Sequence, residues 1–62
     1  MRARELRDLS NDDLAHRLQE TRQELFNLRF QAATGALENL GRLKLTKREI
    51  GRILTVQHER NV

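Results

Sequence analysis

From Leu14 onward the apolar positions return at intervals of four and three: Leu14, Leu18, Thr21, Leu25, Leu28 and Ala32. That spacing winds one stripe along a helix, and so narrow a stripe is the seam of a helix lying along another helix. Both ends are marked. In LSNDDL, Ser10 is placed to accept from the Asp13 amide as N-cap, with Asp13 at the third helical position in a short-chain version of the capping box. Leu9 and Leu14 are spaced for a hydrophobic staple, and Asp12 and Asp13 face the positive end of the helix dipole. At the other end Thr34-Gly35 fits a stop with Gly35 in the left-handed conformation. The pattern predicts one helix over residues 11–34, about 36 Å long at about 1.5 Å per residue.

Residues 36–38 then turn the chain, and Asn39 is a weaker N-cap. Leu40, Leu43, Ile50, Ile53 and Leu54 form a second stripe, on a helix expected over 39–59. So short a connection leaves an antiparallel hairpin, with Leu28 opposite Leu43, Thr21 opposite Ile50, and Leu18 opposite Ile53 or Leu54. Ahead of it, RARELRD at 2–8 makes one or two helical turns ending at Leu9. Neither repeats nor low-complexity tracts stand out. The expected fold is all-α: an antiparallel two-helix hairpin with a short N-terminal helical segment, one domain over 1–62.

The stretch LFNLRFQAATGALEN holds both aromatic residues of the chain, Phe26 and Phe30. At about 100° per residue they stand about 120–160° around the helix from the leucine stripe, near Ala15 and Ala33. They are poorly placed to face the second helix. Either Met1, Leu6 and Leu9 fold back over them as a lid, or a partner covers them. For Phe30, near the hairpin tip and far from Leu9, a partner is the better fit, since exposed aromatic pairs mark contact surfaces.

Size sharpens the question. A chain of 62 residues buries only about 60% of the surface it exposes when unfolded, and scaffolds this small commonly lean on disulfides, a metal or a partner. With no Cys, disulfides are excluded, and a reducing compartment is expected. MRARELRDLS carries a charge at every second or third position, so no signal peptide is expected there, and no apolar run approaches membrane-spanning length. An intact cytosolic protein is the expectation.

Lys and Arg total 12 against 9 Asp and Glu, a net charge of +3, which suggests an anionic partner. Up to Glu38 the charges nearly balance. After it Arg42, Lys44, Lys47, Arg48, Arg52 and Arg60 face only Glu49 and Glu59, so the C-terminal half is the basic one. Lys44, Arg48 and Arg52 recur every four residues as one cationic ridge, about 12 Å long. Gly41 lies on that face and Gly51 at its border. Each costs a helix interior about 1 kcal/mol relative to Ala, a cost that close approach of a sugar-phosphate backbone can justify. Arg suits phosphate through its forked donors. The same charges also fit an ordinary solvated face, and ridge, glycines and basic half together favour RNA.

Other candidate chemistry is thin. Asp12, His16 and Glu20 share a face at metal-ligand spacing, but acids are favoured at helix starts and a solvated face explains them better. His58 sits beside Glu59 and Arg60 near a chain end and points to nothing specific. Asn27, Arg29 and Gln31 are either plain surface or polar contacts around the Phe pair. There is no nucleophile with a base, no phosphate-cradling loop and no cleft for two helices to enclose, so neither catalysis nor a cofactor or metal is expected.

LFNLRFQAATGALEN, followed by RLKLTKREIGRILT and preceded by MRARELRDLSNDDL, resembles the L29 family of large-subunit ribosomal proteins over nearly the whole chain. The resemblance implies a long helical hairpin bound to large-subunit rRNA at the rim of the polypeptide exit tunnel, beside the tunnel protein L23 and within reach of nascent-chain factors. Its first motif falls on Phe26, Asn27, Arg29, Phe30, Gln31, Thr34, Gly35 and Asn39, and the basic positions of its second on Arg42, Lys44, Lys47, Arg48 and Arg52. Gly51 stands where the family commonly has Ala, and Leu54 where it often has Lys.

The expected function is therefore a structural rRNA-binding protein of the ribosome. Arg29, Gln31, Arg42, Lys44, Lys47, Arg48 and Arg52 would contact RNA. Phe26, Asn27 and Phe30 would dock on RNA or a neighbouring protein, and Gly41 and Gly51 would allow close backbone approach. The competing possibility is a protein–protein module in which two hairpins bury their leucine stripes as a dimeric four-helix bundle. A membrane-surface helix fits less well, because the leucines already form a seam for another helix.

Overall fold

The computed structural model describes residues 3–61, and among them are three helices and no strand. They are α1 (Ala3–Arg7), α2 (Asn11–Thr34) and α3 (Leu40–Arg60). The all-α hairpin with a short N-terminal segment is borne out. Met1 and Arg2, assigned above to the lid and the first segment, lie outside the described residues.

Each long helix begins and ends where a local polar group makes it. Ser10 is extended, and its Oγ accepts from the Asp13 N–H at 3.1 Å. Leu9 and Leu14, the staple pair, meet in one apolar cluster. At the C-terminus Gly35 has φ 79°, its N–H donates to Ala32 O, and the Ala36 N–H donates to Gln31 O at 2.8 Å. That pair of bonds is a Schellman stop, which satisfies carbonyls the helix would otherwise leave open. After the short connection, the Asn39 side chain accepts from the Gly41 N–H at 2.9 Å and starts α3. Asn39 is thus the cap rather than the first helical residue, and the helix runs to Arg60.

The main apolar cluster is small and sits at one end, with Leu28 buried apart from it towards the tip. Leu6, Leu14, Ile53 and Val56 are buried together, with Leu9 and Leu18 packed against them. Leu6 is completely buried, so α1 closes the open end of the hairpin. Arg60 latches that end, its Nη2 donating to the Arg7 carbonyl and its Nη1 to Asn11 Oδ1, both at 2.9 Å. The lid over the Phe pair is not formed: Phe26 and Phe30 are 66% and 64% exposed. The reason is reach. Phe26 lies 16 residues beyond Ser10, about 24 Å along the helix, while α1 has five residues.

The second stripe also differs from expectation. Ile53 is buried and Leu43 and Ile50 are half-buried, but Leu40 and Leu54 are exposed. Thr46 and Val56 take the seam instead. Thr46, Glu49, Ile53 and Val56 follow each other at three, four and three residues, the spacing of a helix–helix seam. Leu54 is rotated about 100° from Ile53 and off it. On α2, Leu14, Thr21 and Leu28 are buried, Leu18 and Leu25 half-buried, and Ala32, near the tip, exposed.

A local repeat accompanies this seam, where no repeat was expected. RLQETRQE (Arg17 to Glu24) and RLKLTKRE (Arg42 to Glu49) share Arg, Leu, Thr and Glu at matching places. Across the antiparallel hairpin Arg17 pairs with Glu49 and Arg42 with Glu24. Between the two ion pairs lie Thr21 and Thr46, both buried. The hairpin forms a rod of 40 × 17 × 17 Å.

Candidate nucleic-acid interface

Antiparallel packing turns one side of α3 into the seam and presents the other to solvent. Lys44, Arg48 and Arg52 emerge on that outer side, all exposed, with Lys47 exposed nearer its edge. Among the described residues no carboxylate pairs with Lys44, Lys47 or Arg48. Their charge is therefore available to an outside anion.

Arg42 is placed differently. Its Nη2 donates to Glu24 Oε1 across the hairpin, so this expected RNA contact serves the fold in the first instance. The other cross-hairpin pair is more sheltered. Arg17 Nε donates to Glu49 Oε1 at 3.0 Å and Nη2 donates to the same oxygen. For Glu49 burial is the largest single influence and pushes the carboxyl up, but hydrogen bonding and charge, Arg17's foremost, outweigh it and hold the carboxyl below its ordinary value. The hydrogen bond to Glu49 in turn raises Arg17 above its ordinary value, against a smaller lowering by burial. This pair stays ionised at neutral pH.

The two glycines of α3 separate. A Cβ on Gly41 would stand 3.0 Å from Asn39 Oδ1, so Gly41 makes room for the side chain that caps α3. A Cβ on Gly51 would meet nothing within 4 Å. Gly51 lies on an open groove of about 380 Å³ between α1 and α3, bordered by Arg48, Arg52 and Arg7. Arg7, which sequence reasoning left out, is brought there by α1 and is also held by Glu59 at 3.1 Å. Leu45, likewise passed over, stands 62% exposed beside Lys44. Its i+3 and i−4 neighbours, Arg48 and Gly41, were the available signal that it belongs to the outer face.

On α2, Phe26 and Phe30 project from the side turned away from α3. Asn27 accepts from Gln23 Nε2 at 3.3 Å. Arg29 and Gln31 are exposed, and the Gln31 carbonyl is committed to the Schellman stop and to Thr34 Oγ1 at 3.1 Å. The expected contacts thus fall on two separate faces, the basic set on α3 and the Phe set on α2. The trio considered for metal is partly spent, His16 Nε2 lying 2.6 Å from Glu20 Oε1. Among the described residues no three His, Cys, Asp or Glu side chains converge. No helix among them is long and apolar enough to cross a membrane.

The family model for ribosomal L29 protein matches residues 4–60. The chain belongs to the ribosomal L29 family. It is 56% identical over 61 residues to the large ribosomal subunit protein uL29 of Streptomyces coelicolor, covering 98% of this chain and 82% of that one. It is 58% identical over 60 residues to the uL29 of Corynebacterium jeikeium, covering 97% and 78%. With the uL29 of Maridesulfovibrio salexigens it shares 56% identity over 62 residues, covering 100% and 97%. Membership confirms the resemblance carried by LFNLRFQAATGALEN and assigns the chain to a family of ribosomal structural proteins rather than enzymes.

Proposed function

We propose that this chain is a structural constituent of the large ribosomal subunit, in the cytoplasm, that binds large-subunit rRNA near the polypeptide exit tunnel. There it lies beside L23 and within reach of nascent-chain factors. One observation supports the RNA contact: Arg17 and Arg42 are tied up in cross-hairpin ion pairs, whereas Lys44, Lys47 and Arg48 point outward with no carboxylate partner among the described residues. A rigid helix bearing such a row neutralises phosphates and reads shape rather than base sequence. Arg52 extends the row, and Arg29 and Gln31 add contacts from α2. Gly51 lets a strand approach the groove beside Arg48.

The bundle alternative loses its footing, because the seam it would use is already buried within one hairpin. Binding of the full chain to large-subunit rRNA across a salt series tests the proposal. Affinity should fall linearly on a log–log plot as counterions compete, and the protein should leave large subunits only at high salt. Salt-independent binding, or none, would sink it.

A further inference from the structure

Phe26 and Phe30 are the largest apolar groups that the hairpin leaves uncovered. They stand one turn apart on α2, about 120–160° around the helix from its leucine stripe, so intramolecular packing gives no account of them. Their surroundings are distinctive. Arg22 precedes Phe26 by one turn, and Arg29 lies between the rings along the helix; both are exposed, and among the described residues neither has a carboxylate partner. Gln19, Gln23 and Asn27 supply amides beside them. The nearest acids of α2 are engaged elsewhere, Glu20 with His16 and Glu24 with Arg42. No further acid occurs until Glu38.

We propose that this strip stacks unpaired bases of the RNA, an inference that rests on the rRNA-binding function above and adds a second contact face to it. Aromatic rings interleaved with Arg and amides suit unstacked nucleotides. Rings and guanidinium planes take the base faces, amides reach the base edges, and the Arg charge meets the phosphates. An apolar protein partner would want a mostly aliphatic surround, and here the side chains one turn from the rings are chiefly polar, Arg22, Gln23, Asn27 and Arg29, with Ala33 the one aliphatic among them. Spacing agrees: four residues separate the rings by about 6 Å along the helix, close to two stacking steps of about 3.4 Å. A groove of about 540 Å³ opens beside Phe26, reaching to Gln57 on α3. Bases on α2 and phosphates on α3 would hold the rod, 17 Å across, from two sides.

The test compares full-length variants on large-subunit rRNA across a salt series, with helicity checked by circular dichroism. Phe26→Leu with Phe30→Leu keeps the apolar bulk and removes the rings. It should weaken RNA binding at least about fivefold at every salt concentration with the salt slope unchanged, since stacking is not electrostatic. Phe30→Trp should bind at least as well as the parent chain. A photoreactive benzophenone side chain at position 30 should cross-link to rRNA in assembled subunits. Full RNA affinity in the leucine variant, or cross-linking only to a ribosomal protein, would overturn base stacking. If Lys44→Ala with Arg48→Ala still weakens RNA binding in that case, phosphate contact by α3 stands. If neither variant changes RNA binding, the rRNA-binding function itself fails.

Discussion

Thr21 and Thr46 hold equivalent places on the two long helices, each buried and each donating its hydroxyl to the carbonyl four residues before it. Thr21 Oγ1 reaches Arg17 O at 2.7 Å and Thr46 Oγ1 reaches Arg42 O at 2.8 Å. Those two Arg residues are the cations of the cross-hairpin ion pairs. Where a leucine seam would normally continue, the middle of the hairpin thus has two satisfied hydroxyls bracketed by two ion pairs. The apolar contribution is correspondingly concentrated at the α1 end.

Thr46→Val should therefore cost little. The valine is close in shape, and losing the hydroxyl leaves no buried acceptor unpaired, because the Arg42 carbonyl retains its helical environment. Thermal unfolding should show a change within about 1 kcal/mol. A loss of several kcal/mol would mean the hydroxyl specifies the packing.

Leu6→Ala should be far more damaging. Leu6 is fully buried against Leu14, Ile53 and Val56, and such truncations cost about 2–5 kcal/mol. Domain stabilities begin at about 5 kcal/mol, so about 0–3 kcal/mol would remain and the unfolded fraction should rise by orders of magnitude. Helical circular dichroism at 25 °C measures it.

Gly35→Ala tests the helix stop. Gly35 has φ 79° and open space around its Cβ position, so the penalty is conformational rather than steric. It should be about 1–2 kcal/mol, and Gly35→Asn should lose less because Asn tolerates this region. Equal melting temperatures for Gly35, Ala and Asn would contradict the left-handed stop.

Acid should loosen the hairpin at the Arg17–Glu49 pair. The Glu49 carboxyl is held below its ordinary value, which for Glu is about 4.3. Its contribution is thus fully present above that unfolded-state value and is lost as pH falls through the lower folded-state value. The pair is partly exposed, with 36% and 15% of the two side chains accessible, so solvent screening keeps it at about 1 kcal/mol or less. Glu49→Gln should flatten that part of the acid-unfolding curve. An unchanged curve would remove Glu49 from the explanation.

The arginines and lysines should divide by role. Lys44→Ala or Arg48→Ala should each reduce the salt slope of RNA binding by roughly 0.7–0.9 while leaving the melting temperature nearly unchanged. Arg42→Ala should instead lower the melting temperature slightly through loss of Glu24. Parallel salt titrations and melting curves distinguish the two classes.

What the amino-acid order settled by itself were the features decided within about four residues. Ser10 finds Asp13, Asn39 finds Gly41, and Gly35 adopts its positive φ whatever lies across the hairpin. Helical periodicity likewise placed Phe26 and Phe30 off the seam and collected Lys44, Arg48 and Arg52 on one ridge, because angle around a helix follows from residue number alone. Only the tertiary structure decided which stripe residues found a partner. Thr46 and Val56 are covered while Leu40 and Leu54 are not, since burial depends on register and on where α1 docks. It also separated Arg42 from Lys44: across the hairpin the first meets a carboxylate and the second, among the described residues, meets none. Periodicity fixes a direction, and only the neighbouring element can say what stands in that direction.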